Sequence, residues 1–121
     1  MSLTNYGENK LLELFKSAGT YYVGLFTTAP GESGGGTEIS GGGYARQKVT
    51  FGAASGGSMT NAEALEFPTA TADWGTATAW ALFDAVTGGN MVWYGDITVP
   101  KALYAGDIYR VNANNLTLTM D

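Results

Sequence analysis

Two runs of three glycines, residues 34–36 and 41–43, lie close together in the first half of the chain. Glycine loses the most conformational freedom on folding, so such runs are unfavourable inside a helix or a strand. The sequence therefore predicts a glycine-rich loop over about residues 30–43, which separates one apolar segment from all the others. Two interpretations stay open, a flexible connection and an ordered loop that reaches a partner. A phosphate-binding loop is excluded, because no Gly-Lys-Ser/Thr sequence closes the glycines.

The length and the charge content limit the class of protein. A chain of 121 residues predicts one domain that spans residues 1–121. Charged residues make up 14% of the chain, well below the usual share of about 25%. This suits a surface that touches other subunits, because charges are depleted at interface cores. The net charge of −5 argues against a nucleic-acid partner, which requires Lys and Arg to replace counterions.

The chain contains no histidine and no cysteine. This excludes Ser-His-Asp and Cys-His catalysis and makes a zinc site unfavourable, so we expect no cofactor and no enzymatic activity. Four aspartates lie near predicted turns or strand ends, namely Asp73, Asp84, Asp96 and Asp107. They are interpreted as turn residues, and two alternatives stay open, a calcium site and a catalytic carboxylate pair.

The sequence gives no sign of export or membrane insertion. No apolar run approaches the roughly 20 residues that span a bilayer. The first residues lack a basic segment followed by an apolar core, so no signal peptide is predicted. We therefore expect synthesis in a cytoplasm and no membrane insertion.

Residues 4–18 are predicted to form the only helix. Thr4 or Asn5 is placed to cap its start, and Gly19 follows its end. Leucines at positions 11, 12 and 14 and Phe15 recur near the helical period and predict one apolar face. A helix of this length is marginal alone, so we expect this face to lie on a sheet or against a neighbouring subunit.

The rest of the chain reads as short strands about ten residues apart, which predicts a mainly β, jelly-roll-like antiparallel β-sandwich. Residues 20–28 are apolar on both faces and predict a strand covered on both sides. A Gly-Gly turn predicts a hairpin in which Leu82 lies opposite Gly95 and Trp80 opposite Ile97. The remaining predicted strands are residues 44–51, 60–67, 108–112 and 116–120, with residues 100–104 as an edge strand or connector.

Four residues are candidate contacts with a partner. Tyr44, Arg46 and Lys48 alternate along the strand predicted for residues 44–51, so they share a face that is either solvated or contacts an acidic partner, such as an adjacent subunit. Trp74 stands alone in a loop, where it is either an anchor in the core or a platform for a ligand.

Several segments resemble a family of small proteins from tailed bacteriophages and prophages. They are the opening Leu-Thr-Asn-Tyr-Gly-Glu-Asn-Lys-Leu-Leu, Ala-Pro-Gly at residues 29–31, Gly-Thr-Glu-Ile-Ser-Gly-Gly-Gly-Tyr-Ala-Arg-Gln at 36–47, Phe-Pro-Thr-Ala-Thr-Ala-Asp-Trp-Gly-Thr at 67–76, Phe-Asp-Ala-Val-Thr-Gly-Gly-Asn at 83–90 and Ala-Gly-Asp at 105–107. Members of this family are usually labelled phage tail fibre or minor tail proteins. The resemblance implies a non-enzymatic structural component of a virion, in the tail or tail fibre, and brings no catalytic residues.

Two alternatives to a tail role stay open. One is a capsid cement or head decoration protein, gripping the shell through the glycine-rich loop or the helix. The other is a module that binds a host-surface carbohydrate or receptor through Trp74, Trp80, Trp93 or the tyrosines. In each case we expect a homo-oligomer, a ring or trimer held through the helix or a hairpin face, that also contacts other virion proteins.

Overall fold

The computed structural model describes residues 2–120, and within this range it has one helix and nine strands. In chain order they are α1 (Asn5–Ser17), β1 (Tyr21–Thr28), β2 (Thr37–Glu38), β3 (Gln47–Val49), β4 (Ser58–Thr60), β5 (Leu65–Glu66), β6 (Gly75–Phe83), β7 (Met91–Leu103), β8 (Arg110–Val111) and β9 (Thr117–Thr119). All strand pairs are antiparallel. The prediction of a mainly β fold with one N-terminal helix is confirmed.

The largest sheet has five strands. β1 pairs with β6 along one edge, and β6 pairs with β7. Along the other edge of β1, β2 and β3 follow one another, so the middle of the glycine-rich loop and the strand after it both pair with β1. Two smaller sheets, β4 with β9 and β5 with β8, form the opposing layer.

The main core lies between these two layers. Alternate residues of β1, among them Val23 and Leu25, pack in one cluster with Phe67 and Leu118 from the opposing layer. The other face of the five-stranded sheet carries a second buried cluster, made of Phe26, Ala79, Ala81 and Phe83. The strand predicted to be covered on both faces is therefore confirmed, and the arrangement is sandwich-like.

The helix begins and ends close to the predicted bounds. Thr4 caps it, because its side-chain hydroxyl accepts a hydrogen bond of 3.1 Å from the Gly7 N–H. Leu12 is buried in the main core, and the Phe15 ring stacks on Tyr21 at 4.3 Å. The single predicted apolar face is wrong, since Leu11 and Leu14 point to the opposite side and are 41% and 55% exposed.

The predicted hairpin forms, but its register differs by two residues. Trp80 lies opposite Gly95 rather than Ile97, and Leu82 lies opposite Trp93. The loop is wider than a two-residue turn because the Asp84 carboxylate closes it, accepting hydrogen bonds from the backbone N–H of Asn90 at 2.7 Å and from its side-chain amide at 3.0 Å.

Glycine is required opposite Trp80. A Cβ atom at Gly95 would lie 2.9 Å from two atoms of the indole ring. The ring therefore lies over the backbone of β7.

β7 runs through Pro100 to Leu103, so the separate segment predicted for residues 100–104 is wrong. Pro100 is tolerated because β7 is an edge strand, where a missing N–H need not interrupt the ladder. The pairing with β6 is also irregular here, since Ala79 lies opposite Asp96 while Ala77 lies opposite Lys101. The extra residues of β7 form a bulge over residues 97–100.

The single strand predicted for residues 60–67 is divided into β4 and β5, and buried Asn61 is the cause. Its side-chain amide donates to the carbonyls of Glu63 at 2.7 Å and Asn112 at 3.1 Å. The side-chain oxygen Oδ1 of Asn61 accepts a hydrogen bond of 2.8 Å from the Leu116 N–H. Asn61 thus joins the turn after β4 to the connection between β8 and β9.

The last two strands are shorter than predicted, but their buried faces agree with the sequence pattern. Leu116 and Leu118 are buried. In β8 and the residues before it, Tyr109 and Val111 lie against the core, while Ile108 is exposed. Within residues 2–120, no helix combines the length and apolar character needed to cross a membrane.

Candidate contact site

The glycine-rich loop folds back onto β1. β2 pairs with the end of β1, and the Ile39 N–H then donates to the Leu25 carbonyl at 2.9 Å. The chain leaves the sheet after Ile39 and returns to it at β3. Ile39 is buried in the main core, so the middle of the loop is anchored by an apolar side chain.

Tyr44 fills the gap that the departing chain leaves beside β1. Its hydroxyl accepts a hydrogen bond of 2.9 Å from the Leu25 N–H and donates one of 2.6 Å to Oε2 of Glu38. A side chain thus supplies the acceptor that an adjacent strand would normally provide. Both groups approach because residue 24 is glycine, where a Cβ would lie 2.6 Å from Glu38 Oε2 and 3.0 Å from the Tyr44 oxygen.

Glu38 forms a bidentate ion pair with Arg46. Nε and Nη2 of Arg46 each lie 2.9 Å from one oxygen of the Glu38 carboxylate. The two side chains are only 9% and 23% exposed, so water screens the pair weakly. We call Glu38, Tyr44 and Arg46 the Glu38 network.

Arg46 extends this network to the hairpin loop. Its Nη1 donates to the carbonyls of Ala85 at 3.0 Å and Gly88 at 2.8 Å. Its guanidinium carbon lies 3.5 Å from the centre of the Phe83 ring, which is a cation–π contact. One side chain therefore holds together the glycine-rich loop, the hairpin loop and the second face of the sheet.

Trp74 fastens the same loop from the other side. It is buried, and its indole N–H donates to the Gly42 carbonyl at 2.8 Å. Its ring meets Tyr44 edge-on at 5.4 Å. A Cβ at Gly42 would lie 2.9 Å from the indole nitrogen, so this contact requires glycine. The anchoring role, one of the two interpretations of Trp74, matches this position.

The four candidate contact residues do not share one surface. Tyr44, Arg46 and Trp74 lie together inside the chain's own packing, whereas Lys48 projects from β3 into solvent. Tyr44, Arg46 and Lys48 do not share the face expected of one alternating strand, because β3 includes only Gln47–Val49. Glu38, the centre of the network, was missed in the sequence, because its partners Tyr44 and Arg46 lie beyond the second run of glycines and no periodic pattern links them to it. Contact with a partner through any of the four stays a prediction.

Three of the four aspartates brace turns. Asp73 accepts from the Ala105 N–H at 3.0 Å, and Asp107 accepts from the Tyr104 N–H at 2.9 Å. In the hairpin loop, the hydrogen bonds from Asn90 lower the pKa of Asp84. Residues 2–120 contain no group of three or more His, Cys, Asp or Glu side chains placed to hold a metal ion.

Within residues 2–120, most of the exposed apolar side chains lie in two places, and the others are Val86, Tyr104 and Ile108. One is the outer side of α1 and the residues before it, with Leu3, Tyr6, Leu11 and Leu14. The other is β7, with Val92, Tyr94 and Val99.

Comparison with protein families matches residues 2–119 to the model of the Podophage GP4 fiber I protein gp80. The chain belongs to this podophage fibre family. The resemblance found in the sequence is thereby confirmed for a phage tail-fibre-type structural protein, and the fibre family implies a component of the virion. No curated protein matches the chain.

The Glu38 network makes stability depend on pH through Tyr44. Burial raises the pKa of the Tyr44 phenol, and the hydrogen bond to Glu38 raises it further. The unfolded phenol titrates near its ordinary pKa of about 10. Stability is therefore fully present below that pH and falls above it, because the unfolded chain then releases a proton that the folded chain retains.

Tyr44→Phe should remove this contribution. Its free energy of unfolding should fall less steeply above about pH 10 than that of the wild type, by about 1.4 kcal/mol per pH unit. Urea unfolding on both sides of that pH measures the two slopes. Tyr104→Phe removes an exposed phenol outside the network and serves as the control for the loss of a tyrosine. Equal slopes for Tyr44→Phe and the wild type would show that Tyr44 is not buried in this network.

Proposed function

We propose that the protein is a non-enzymatic structural subunit of a phage tail fibre, acting through contacts with copies of itself and with other virion proteins. The family match over residues 2–119 carries this proposal. A charged fraction of 14% supports it, because few charges need to be desolvated when subunits meet. The family is named for a fibre, so we favour the fibre over the capsid shell as the location.

The outer side of α1 is the contact surface best placed for a second copy. Tyr6, Leu11 and Leu14 lie on the side of the helix opposite Leu12, and Leu3 precedes them. Residues three and four apart share one side of a helix, so Leu11 and Leu14, which are three apart, form an exposed apolar stripe. Within one subunit this stripe stays exposed, and a neighbouring subunit would bury it.

Replacing Leu11 and Leu14 together by glutamine should disrupt self-association. Both residues are exposed, so the change should alter the free energy of unfolding by no more than about 0.5 kcal/mol per site. Light scattering after gel filtration, over a wide range of concentrations, measures the effect. We expect an oligomer for the wild type and a shift towards monomer for the double variant.

Val86→Gln is the matched control, since it removes an exposed apolar residue from the hairpin loop instead. It should associate as the wild type does. A wild-type protein that stays monomeric at every concentration would contradict self-association as a property of the free chain.

A second candidate role, binding of a host-surface glycan, is favoured by a cleft between the two layers. The cleft has a volume of about 210 Å³, and Trp80 and Tyr109 line it from opposite layers. Aromatic rings that carry a polar group suit a sugar, which has an apolar ring face and hydroxyl groups. Of the three tryptophans considered for this role, Trp74 is engaged with Gly42 and Trp93 packs on Phe15.

Nuclear magnetic resonance of the indole N–H groups tests this role directly. We expect at least one neutral monosaccharide from a panel of glucose, galactose, mannose, rhamnose and N-acetylglucosamine to shift the Trp80 signal saturably. The Trp74 signal should stay in place, because its N–H is bonded inside the protein. If no sugar moves the Trp80 signal, or if both signals move together, the cleft is not a sugar site.

A further inference from the structure

The cleft between Trp80 and Tyr109 reaches down to the main core. Its floor consists of aliphatic side chains of that core, Val23 and Leu25 of β1 and Leu116 before β9. Each of the three is no more than 6% exposed. The backbone of β1 is paired within the sheet at Val23 and Leu25, so the floor offers a ligand apolar contact rather than hydrogen bonds.

The aromatic walls of the cleft supply hydrogen-bond donors. Within residues 2–120, the Trp80 indole N–H and the Tyr109 hydroxyl make no hydrogen bond, and neither is sealed off from solvent. Burial raises the pKa of the Tyr109 phenol, so this group stays protonated and able to donate at neutral pH. An indole N–H can only donate. A ligand that covers Trp80 must therefore bring an acceptor, or the N–H loses its bond to water without replacement.

The charged residues around the cleft do not favour a charged ligand. Among the lining residues of the described chain, the one carboxylate belongs to Asp96, which lies directly opposite Ala79. Opposed residues of an antiparallel pair point to the same face, and Ala79 belongs to the second buried cluster on the other face of the sheet. The Asp96 carboxylate therefore points away from the cleft. Arg110 is already engaged, by Glu66 at 3.3 Å and Asn112 at 3.1 Å.

We propose that the cleft selects an N-acetylated sugar, with the acetyl methyl group on the aliphatic floor and the acetyl carbonyl oxygen bonded to the Trp80 N–H. The proposal deepens the glycan-binding role given above and rests on it. An amide oxygen is an acceptor with two lone pairs, and a methyl group needs no partner where Val23 and Leu25 offer none. The volume of about 210 Å³ is smaller than that of a drug-sized site, which suits one sugar unit.

Sugars without the acetyl group match this cleft less well. A hydroxyl of glucose placed on the floor loses its hydrogen bonds to water and gains no partner. Rhamnose brings a methyl group for the floor but no carbonyl oxygen for the Trp80 N–H. Burying one methyl group favours binding about fourfold, and one hydrogen bond favours it about fivefold. We therefore expect N-acetylglucosamine to bind roughly tenfold to twentyfold more tightly than glucose, with rhamnose between them.

Titration of the wild-type protein with these three sugars measures the order of affinities, because the Trp80 indole N–H signal reports binding of each. The comparison changes only the sugar, so no variant has to fold. Glucose or rhamnose binding as tightly as N-acetylglucosamine overturns the proposal and leaves the glycan role intact. If no sugar shifts the Trp80 signal, the glycan role and the proposal both fail.

Nuclear Overhauser spectra of the complex locate the acetyl group. We expect cross-peaks from the acetyl methyl protons of N-acetylglucosamine to the methyl groups of Val23 and Leu25 on the floor. Cross-peaks to exposed Thr98 at the mouth of the cleft, with none to the floor, would show that the sugar lies the other way round. That result contradicts the proposal even if N-acetylglucosamine binds best.

Trp80→Phe tests the hydrogen bond, since it keeps an aromatic ring and removes the donor. The preference for N-acetylglucosamine over glucose should fall to about fourfold, the share of the methyl group alone. The backbone N–H signal of Thr98 reports binding in this variant. Tyr104→Phe is the control, because it removes an exposed hydroxyl outside the cleft and should keep the wild-type preference. A preference that Trp80→Phe leaves unchanged excludes the bond to Trp80 and overturns the proposal.

Discussion

The ion pair between Glu38 and Arg46 is the interaction on which the rest of the structure depends. Its two hydrogen bonds are both 2.9 Å long, and little of either side chain reaches water. Breaking such a pair leaves one charge buried without a partner, at a cost of about 3–5 kcal/mol. Neither charge is therefore tolerable alone.

Glycines and aromatic rings surround the ion pair and leave the space that its side chains need. Gly24 leaves room on β1 for the carboxylate and for the Tyr44 hydroxyl. On the far side, Phe83 stacks against Phe26 at 6.1 Å and receives the Arg46 guanidinium on its face. The glycine-rich loop is consequently part of the packing of the second face of the sheet. Two of its glycines, Gly36 and Gly42, permit close contacts that a Cβ atom would block.

The sequence alone was sufficient to predict the structural features that depend on residues close together in the chain. The helix cap at Thr4, the apolar strand β1 and the hairpin all follow from neighbouring residues. The two-residue error in the hairpin register has a physical cause, because Asp84 binds Asn90 and closes a wider loop than a Gly-Gly turn predicts. Local turn propensity was overridden by one side chain.

The parts that could not be predicted depend on contacts between distant residues. Arg46 reads as an outward-facing residue of an alternating strand, yet it bonds to carbonyls of the hairpin loop. Asn61 reads as a polar position in a half-buried strand, yet it is fully buried and joins two turns. Neither role has a local signal, since each partner becomes a neighbour only after the sheet has formed. The contact residues proposed from the sequence therefore turned out to lie mostly in the chain's own interior.

These contacts leave a subunit whose polar groups are used internally and whose surface is poor in charge. Apolar side chains stay exposed on the outer side of α1 and on β7, and the chain belongs to a phage fibre family. The most direct test of the account is ¹⁵N relaxation of the backbone over residues 38–46. The Glu38 network predicts order parameters of about 0.85, as for the rigid strands, and values below about 0.6 would show a flexible loop and contradict the account.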